Sequence, residues 1–125
     1  MKEARRALGE QGEALAALHL EGLGFRIVAR NHRCRRGEVD LIAERGELLV
    51  FAEVRARSTD RFGAPEETVG KEKQRRIVCA ARDYLAGQSE ARAIRFDVIA
   101  IVAAPDSSSA PRVHHIPDAF DAGGY

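Results

Sequence analysis

Cysteine is scarce in this chain: Cys34 and Cys79 are the two among 125 residues. One falls on a predicted loop and one in a predicted helix with no C-x-x-C pairing, which excludes a disulfide scaffold or redox motif and predicts reduced thiols. His32-x-Cys34 and the His114-His115 pair hint at metal ligation, but isolated pairs without a matching second pair are usually incidental. Long apolar runs are missing too. No stretch approaches the roughly 18 to 20 residues that cross a bilayer, and Met1-Lys2-Glu3-Ala4-Arg5-Arg6 lacks the apolar core of a secretory leader. The expectation is a cytosolic protein with no membrane contact. Internal repeats and linkers are absent as well, so residues 1–125 read as one domain, with 104–112 a flexible loop and 121–125 a frayed terminus.

Net charge is almost missing, at +1. Divided along the chain it is not. Residues 26–82 hold 14 Lys/Arg against 9 Asp/Glu, a balance of +5, while residues 96–125 hold 1 against 4, a balance of −3. The basic charge concentrates in Arg26, Arg30, Arg33, Arg35 and Arg36, and again in Lys71, Lys73, Arg75 and Arg76. Such clusters suit phosphate backbones. They suit a solvated face equally well when charge is the sole observation.

What is present is periodicity. Leu8, Leu15, Leu18 and Gly22 recur at helical spacing, predicting an amphipathic helix over about 4–23 that Gly22 and Gly24 end. Phe25 to Asn31 alternates as an edge strand. Val39, Leu41 and Ala43 alternate with Glu38, Asp40 and Ile42, and after Arg45-Gly46 the run Leu48 to Arg57 alternates again, which reads as a β-hairpin. With Arg45 and Gly46 as the loop, Ile42 faces Leu49, Asp40 faces Phe51 and Glu38 faces Glu53. Asp40, Glu53 and Arg55 then share one face. The opposite face, Val39, Leu41, Ala43, Leu48, Val50, Ala52 and Val54, carries no charge and must be buried. A Gly/Pro-containing loop near 61–65 precedes a second helix over about 70–86, with Ile77, Ala81, Tyr84 and Leu85 inward and Gly87 as its stop. Residues 94–103 form a strong strand, and 113–116 a short final one.

Asp40 and Glu53 are the anomaly, because two acids on a partly apolar strand face are costly unless paired or metal-bound. Phosphodiester cleavage needs a polarised water and a stabiliser for charge on the phosphate, which Mg²⁺ held by a few carboxylate oxygens supplies. Under the register above, Asp40 and Glu53 are diagonal neighbours with backbones roughly 7 to 8 Å apart. That is close enough to share an ion.

These residues resemble a known family. Gly37-Glu38-Val39-Asp40-Leu41-Ile42, followed by Glu53-Val54-Arg55, looks like the acid and E-x-K pattern of the PD-(D/E)XK nuclease superfamily. More closely, the chain from Leu8 to Phe120 resembles the uncharacterised YraN family, itself similar to archaeal Holliday-junction resolvases. Gly9-x-x-Gly12-Glu13, Arg30-Asn31, Lys73-Gln74-x-Arg76 and Arg95-Phe96-Asp97-Val98 carry that likeness by their order and spacing. It implies a restriction-endonuclease-like α/β fold, a mixed central β-sheet flanked by α-helices. It implies Asp40 and Glu53 as ligands for Mg²⁺ or Mn²⁺, Glu13 as a further acid and ligand, and Arg55 at the position where the superfamily has lysine. Arginine stays protonated, so it can orient and stabilise negative charge but cannot act as a base.

Each residue has a plainer role. Glu13 is otherwise a solvated helix residue, and Arg55 otherwise neutralises Asp40 and Glu53 as an ion pair. Glu38 replaces either ligand or faces solvent, and Asp97 reads as a structural hydrogen-bond acceptor. Arg30, Arg33, Arg35, Arg36, Lys73 and Gln74 are the candidates for contacting nucleic acid, DNA ahead of RNA. The leading expectation is a metal-dependent endonuclease acting on DNA, including branched DNA, with a homodimer as the assembly the resemblance suggests. The second is a nuclease scaffold without turnover that binds nucleic acid and acts through a partner. A protein-interaction subunit without a nucleic-acid role is the third.

Overall fold

The computed structural model describes residues 2–57, 69–103 and 110–123, with side chains from residue 9 onward. The loop expected near 61–65 and most of that expected at 104–112 lie outside the described residues. Two helices and five strands follow in the order α1 (Lys2–Gly22), β1 (Arg26–Cys34), β2 (Gly37–Arg45), β3 (Leu48–Arg57), α2 (Lys71–Ala86), β4 (Ala93–Val102) and β5 (Arg112–Phe120). The strands form one sheet in that same order. Pairing is antiparallel except between β3 and β4, which run parallel across the connection that contains α2. The fold is therefore α/β with a mixed sheet, and β1 is an edge strand as expected.

Each face of the sheet carries its own core. Leu41, Ala43, Val50, Ala52, Ile99 and Ile101 meet Ala16, Ala17 and Leu20 of α1 on one side. Ile42, Leu49, Phe51, Phe96 and Val98 meet Ile77, Val78, Ala80 and Ala81 of α2 on the other. Both helices thus bury an apolar stripe, which is what makes the central strands hydrophobic on both sides. Among the described residues no helix is long and apolar enough to cross a membrane.

Four expectations need correction. The leucine stripe of α1 is not its inner face, since Leu18 is 64% exposed while Ala16, Ala17 and Leu20 are buried. Small residues win there because the helix lies close to the sheet: a Cβ on Gly12 would come within 3.3 Å of the Ala56 Cβ. The hairpin loop is Gly46-Glu47, one position later than expected, because its first residue takes a positive φ of 59° that glycine tolerates. Ile42 consequently pairs with Phe51, and Leu41 with Ala52. Moving the loop by one position moves every pairing by two, so which face each residue occupies is preserved. The third concerns Val39, which packs in the α2 core beside Ile42 rather than with Leu41 and Ala43. Alternation in β2 therefore breaks around Asp40. The final strand also runs further than its apolar core, over Arg112–Phe120, although Pro117 and the positive φ of Asp118 (55°) lie within it.

The β1–β2 turn is fixed against α2. Cys34 pairs with Gly37 across Arg35 and Arg36, and a Cβ on Gly37 would stand 1.9 Å from the Arg76 carbonyl oxygen. Only glycine admits that approach, which holds an exposed pair of arginines beside the basic N-terminal half of α2.

Candidate active site

The break in β2 is where the acids gather. The β2–β3 ladder runs from Arg45 and Leu48 to Leu41 and Ala52, and one step further in the same register lie Asp40 and Glu53. There the Asp40 side chain takes part in the strand contact: its Oδ2 accepts the Val54 N–H at 2.8 Å. Asp40 thereby stands beside Glu53, closer than the diagonal relation expected from the sequence. A hydrogen bond joins the two carboxyl groups.

Glu53 is 3% exposed. Burial, then the hydrogen bond to Asp40 and the charge of Asp40, push its carboxyl up to about 8. Two cations pull the other way. Arg55 Nε lies 3.5 Å and Lys73 Nζ 3.4 Å from Glu53 Oε2. Their failure to bring Glu53 back to the ordinary carboxylate range follows from geometry, since neither approaches as closely as a good charge-assisted hydrogen bond of about 2.7–2.9 Å. Around neutral pH Glu53 keeps its proton and donates it toward Asp40. In effect a proton occupies the place of a counter-cation between two acids.

Glu13 joins from α1. Its carboxyl is raised by burial and by the charge of Asp40, with Glu38 adding to the rise, while a hydrogen bond from Asn31 and the charge of Arg30 oppose it. Asn31 takes a positive φ of 51° in β1, a conformation that asparagine tolerates better than most residues. Asp40 and Glu53 therefore interact with groups from both helices, Glu13 on α1 and Lys73 on α2.

The other nominated residues are placed less uniformly. Arg30, Arg33, Arg35 and Arg36 are exposed. Arg33 is ion-paired with Glu38 at 2.6 Å, which turns that acid toward β1 rather than into the pair. Gln74 donates its amide to the Val69 carbonyl at 3.0 Å, and so ties the approach to α2 in place. His32 bonds to Asp83 at 2.9 Å and meets the Tyr84 ring edge-on. Sequence reasoning saw Lys73 as a phosphate contact and missed its ion pair with Glu53. It passed over Asn31 as a site residue, and the signal there was an asparagine inside a strand just before the basic turn.

The donor chemistry fits a hard divalent cation. Two carboxyl groups in contact, one of them holding a proton against its ordinary tendency, are oxygen donors short of positive charge. Among the described residues no three His, Cys, Asp or Glu side chains form a single ligand group. The fit is accordingly to a cation held by the Asp40 and Glu53 pair with its remaining positions filled from outside the chain, a usual arrangement for Mg²⁺.

Fold and site together define an α/β protein with a paired-carboxylate centre where two strands part. The chain belongs to the uncharacterised protein family UPF0102, whose signature matches residues 12–101. A UPF0102 protein of Anaeromyxobacter dehalogenans is 54% identical over 123 residues, covering 98% of this chain and 90% of the relative. UPF0102 proteins of Geotalea daltonii and Myxococcus xanthus are each 48% identical, covering 96% and 95% of this chain and 94% and 93% of their own. The matched span contains Glu13, Asp40, Glu53, Arg55 and Lys73.

Proposed function

We propose that this chain is a restriction-endonuclease-like, divalent-cation-dependent endonuclease that hydrolyses phosphodiester bonds in DNA, branched DNA included, in the cytosol. One observation carries the reading: Glu53, almost fully buried, faces Asp40 where the β2–β3 ladder stops, and the cations beside it among the described residues, Arg55 and Lys73, leave its carboxyl raised to about 8. An ion pair built for stability would place its guanidinium within direct hydrogen-bond reach. Here the acids are left under-neutralised instead.

Asp40 and Glu53 would hold Mg²⁺ or Mn²⁺, with Glu13 the further acid on α1. When bound, such an ion supplies a water made more acidic and a counter-charge for the phosphate oxygens. The chain's own groups do the rest. Once Glu53 has given up its proton and bonds outward, Arg55 and Lys73 can turn their N–H groups to the phosphate, orienting it and offsetting its growing charge. Arg55 cannot take the water's proton, because arginine stays protonated. Arg30, Arg33, Arg35 and Arg36 would track the flanking backbone, the last two from the turn that Gly37 fixes beside α2.

Calorimetric titration of Mn²⁺ into wild type and Asp40→Asn tests the site. Binding by wild type that releases protons near pH 7, and its loss in the variant, is expected. At a Mn²⁺ concentration a hundredfold above Kd the wild type should gain about 2.7 kcal/mol of stability. Cleavage of junction, flap, single-stranded or duplex DNA that persists in Asp40→Ala would remove the assignment.

Arg55 favours a second reading, a module that binds nucleic acid without cutting it. It expects binding that weakens steeply with salt and no cleavage in wild type or in Arg55→Lys.

A further inference from the structure

A second buried network lies on the α1 side of the sheet, away from the Asp40 and Glu53 pair. Asp97 on β4 is fully buried and accepts two bonds from Arg95, at 2.8 and 2.9 Å, and one from the Asp118 backbone N–H at 3.0 Å. His115 Nε2 lies 2.7 Å from Asp97 Oδ2, and the opposite ring nitrogen, Nδ1, lies 3.0 Å from His19 Nε2 on α1. The two imidazoles meet edge to face with centroids 5.0 Å apart. This chain of contacts ties the C-terminal half of α1 to β5, and six residues earlier the same helix carries Glu13.

We propose that Asp97, His115 and His19 form a proton-gated clamp that seats α1 on the sheet and thereby positions Glu13 beside Asp40. Its consequence for Glu13 rests on the nuclease reading, whereas the clamp itself does not.

The gating follows from counting protons and charges. From β4 the imidazoles are faced by Asp97 and its partner Arg95, while β5 contributes His115 and α1 contributes His19. One acid against one guanidinium leaves no spare acid for a pair of imidazolium ions. Asp97 keeps a proton on His115 Nε2, so the 3.0 Å contact between Nδ1 and Nε2 holds a single proton, whichever ring carries it. A second proton puts an N–H on both sides of that contact and leaves a cation without an acid. The contact can then only open. Burial, and then the charge of His115, lower the His19 imidazole below its ordinary value, in keeping with this resistance to the second proton. The sign is that of a group protonated more readily when undocked: the clamp is closed above the ordinary histidine range and weakens as pH falls through it. What else holds this stretch is packing by Ala16, Ala17 and Leu20, two of them with side chains too small to contribute much apolar area.

Nuclear magnetic resonance on the full chain tests the clamp between pH 8 and 5. His19 is expected to titrate below the ordinary histidine value, and amide protection around Ala16 to Leu20 to fall as it does, by up to about tenfold per pH unit. His19→Gln keeps a polar partner for His115 and removes the titration, so protection should become independent of pH. Titration of His19 at the ordinary histidine value with constant protection overturns the clamp; so does unchanged pH dependence in His19→Gln. Mn²⁺ affinity separates the two readings. At pH 6 His19→Gln should bind more tightly than wild type, and at pH 7.5 equally. Gated exchange with equal affinities at both values overturns the link to Glu13 alone, while absence of Mn²⁺ binding throughout overturns the nuclease reading and leaves the clamp standing on exchange.

Discussion

Asp97 and Glu53 make a natural pair for comparison. They are 0% and 3% exposed, and they sit one step apart along the same parallel ladder, Asp97 level with Ala52 and Glu53 level with Val98. Burial penalises both charges alike. Asp97 nevertheless lies below its ordinary value, because the bonds from His115, Arg95 and the Asp118 N–H outweigh burial, whereas Glu53 is pushed up to about 8. What separates them is the supply of donors, three groups at 2.7 to 3.0 Å for one and, among the described residues, two cations at 3.4 and 3.5 Å plus a rival acid for the other. A buried acid with its donors filled holds the fold together. One left short would be stabilised by a cation from outside, which is what the proposed function expects.

The largest expected effect tests that contrast directly. Asp97→Ala strips Arg95 and His115 of their acceptor inside the sheet and should cost about 3–5 kcal/mol in urea unfolding. Glu53→Gln removes a carboxyl that resists ionisation, and should leave stability at pH 7 unchanged or raise it. A comparable loss in both variants would mean that Glu53 is an ordinary structural acid, and the comparison would collapse.

pH separates the same two groups with opposite signs. Asp97 binds its proton less readily folded than unfolded, so the stability it confers is present above its ordinary value of 3.8 and is lost as pH falls through the lower folded value. Glu53 binds its proton more readily folded. Its contribution is greatest below 4.5 and declines as pH climbs from there to about 8, after which it levels off. For one proton the slope is at most about 1.4 kcal/mol per pH unit. Thermal unfolding across pH 5 to 8 should show this decline in wild type and lose it in Glu53→Gln. Added Mg²⁺, by displacing the proton, should flatten it in wild type only.

How far these two acids were readable in the sequence differs for a physical reason. Asp40, Glu53 and Arg55 sit on one hairpin, where local pairing and a glycine turn decide which side chains lie together; the misplaced loop still left Asp40 and Arg55 beside Glu53, although the alternation itself breaks around Asp40. Asp97 was read correctly as a structural acceptor; Arg95, two residues away on the same strand, is a local partner, but His115 and the Asp118 N–H come from 18 and 21 positions away on β5 and, through His115, the network reaches α1. No local period announces a contact across that distance. His19 carries no local signal in the sequence, and His115 reads as half of an incidental pair. The inner face of α1 failed for a related reason: apolar spacing favours leucines, while the closeness of helix to sheet that selects Gly12 and Ala16 exists only once the strands are assembled. In the hairpin, by contrast, sequence separation was short enough for local rules to decide.

The smallest expected effect on stability sharpens the comparison from the surface. Arg33 pairs with Glu38 at 2.6 Å, yet both side chains are open to water, at 72% and 37% exposure. Such a pair contributes about 0–1 kcal/mol, so Arg33→Ala should barely move the unfolding midpoint, in contrast to the loss of Asp97. If the basic turn meets phosphate, the same substitution should weaken DNA binding and lower the slope of log affinity against log salt by about 0.9 for each contact removed. Fluorescence anisotropy at several salt concentrations reads that slope. A variant with wild-type affinity and slope would assign Arg33 to solvation, and the reach of the site would then have to be sought in Arg55 and Lys73, the cations that already touch Glu53.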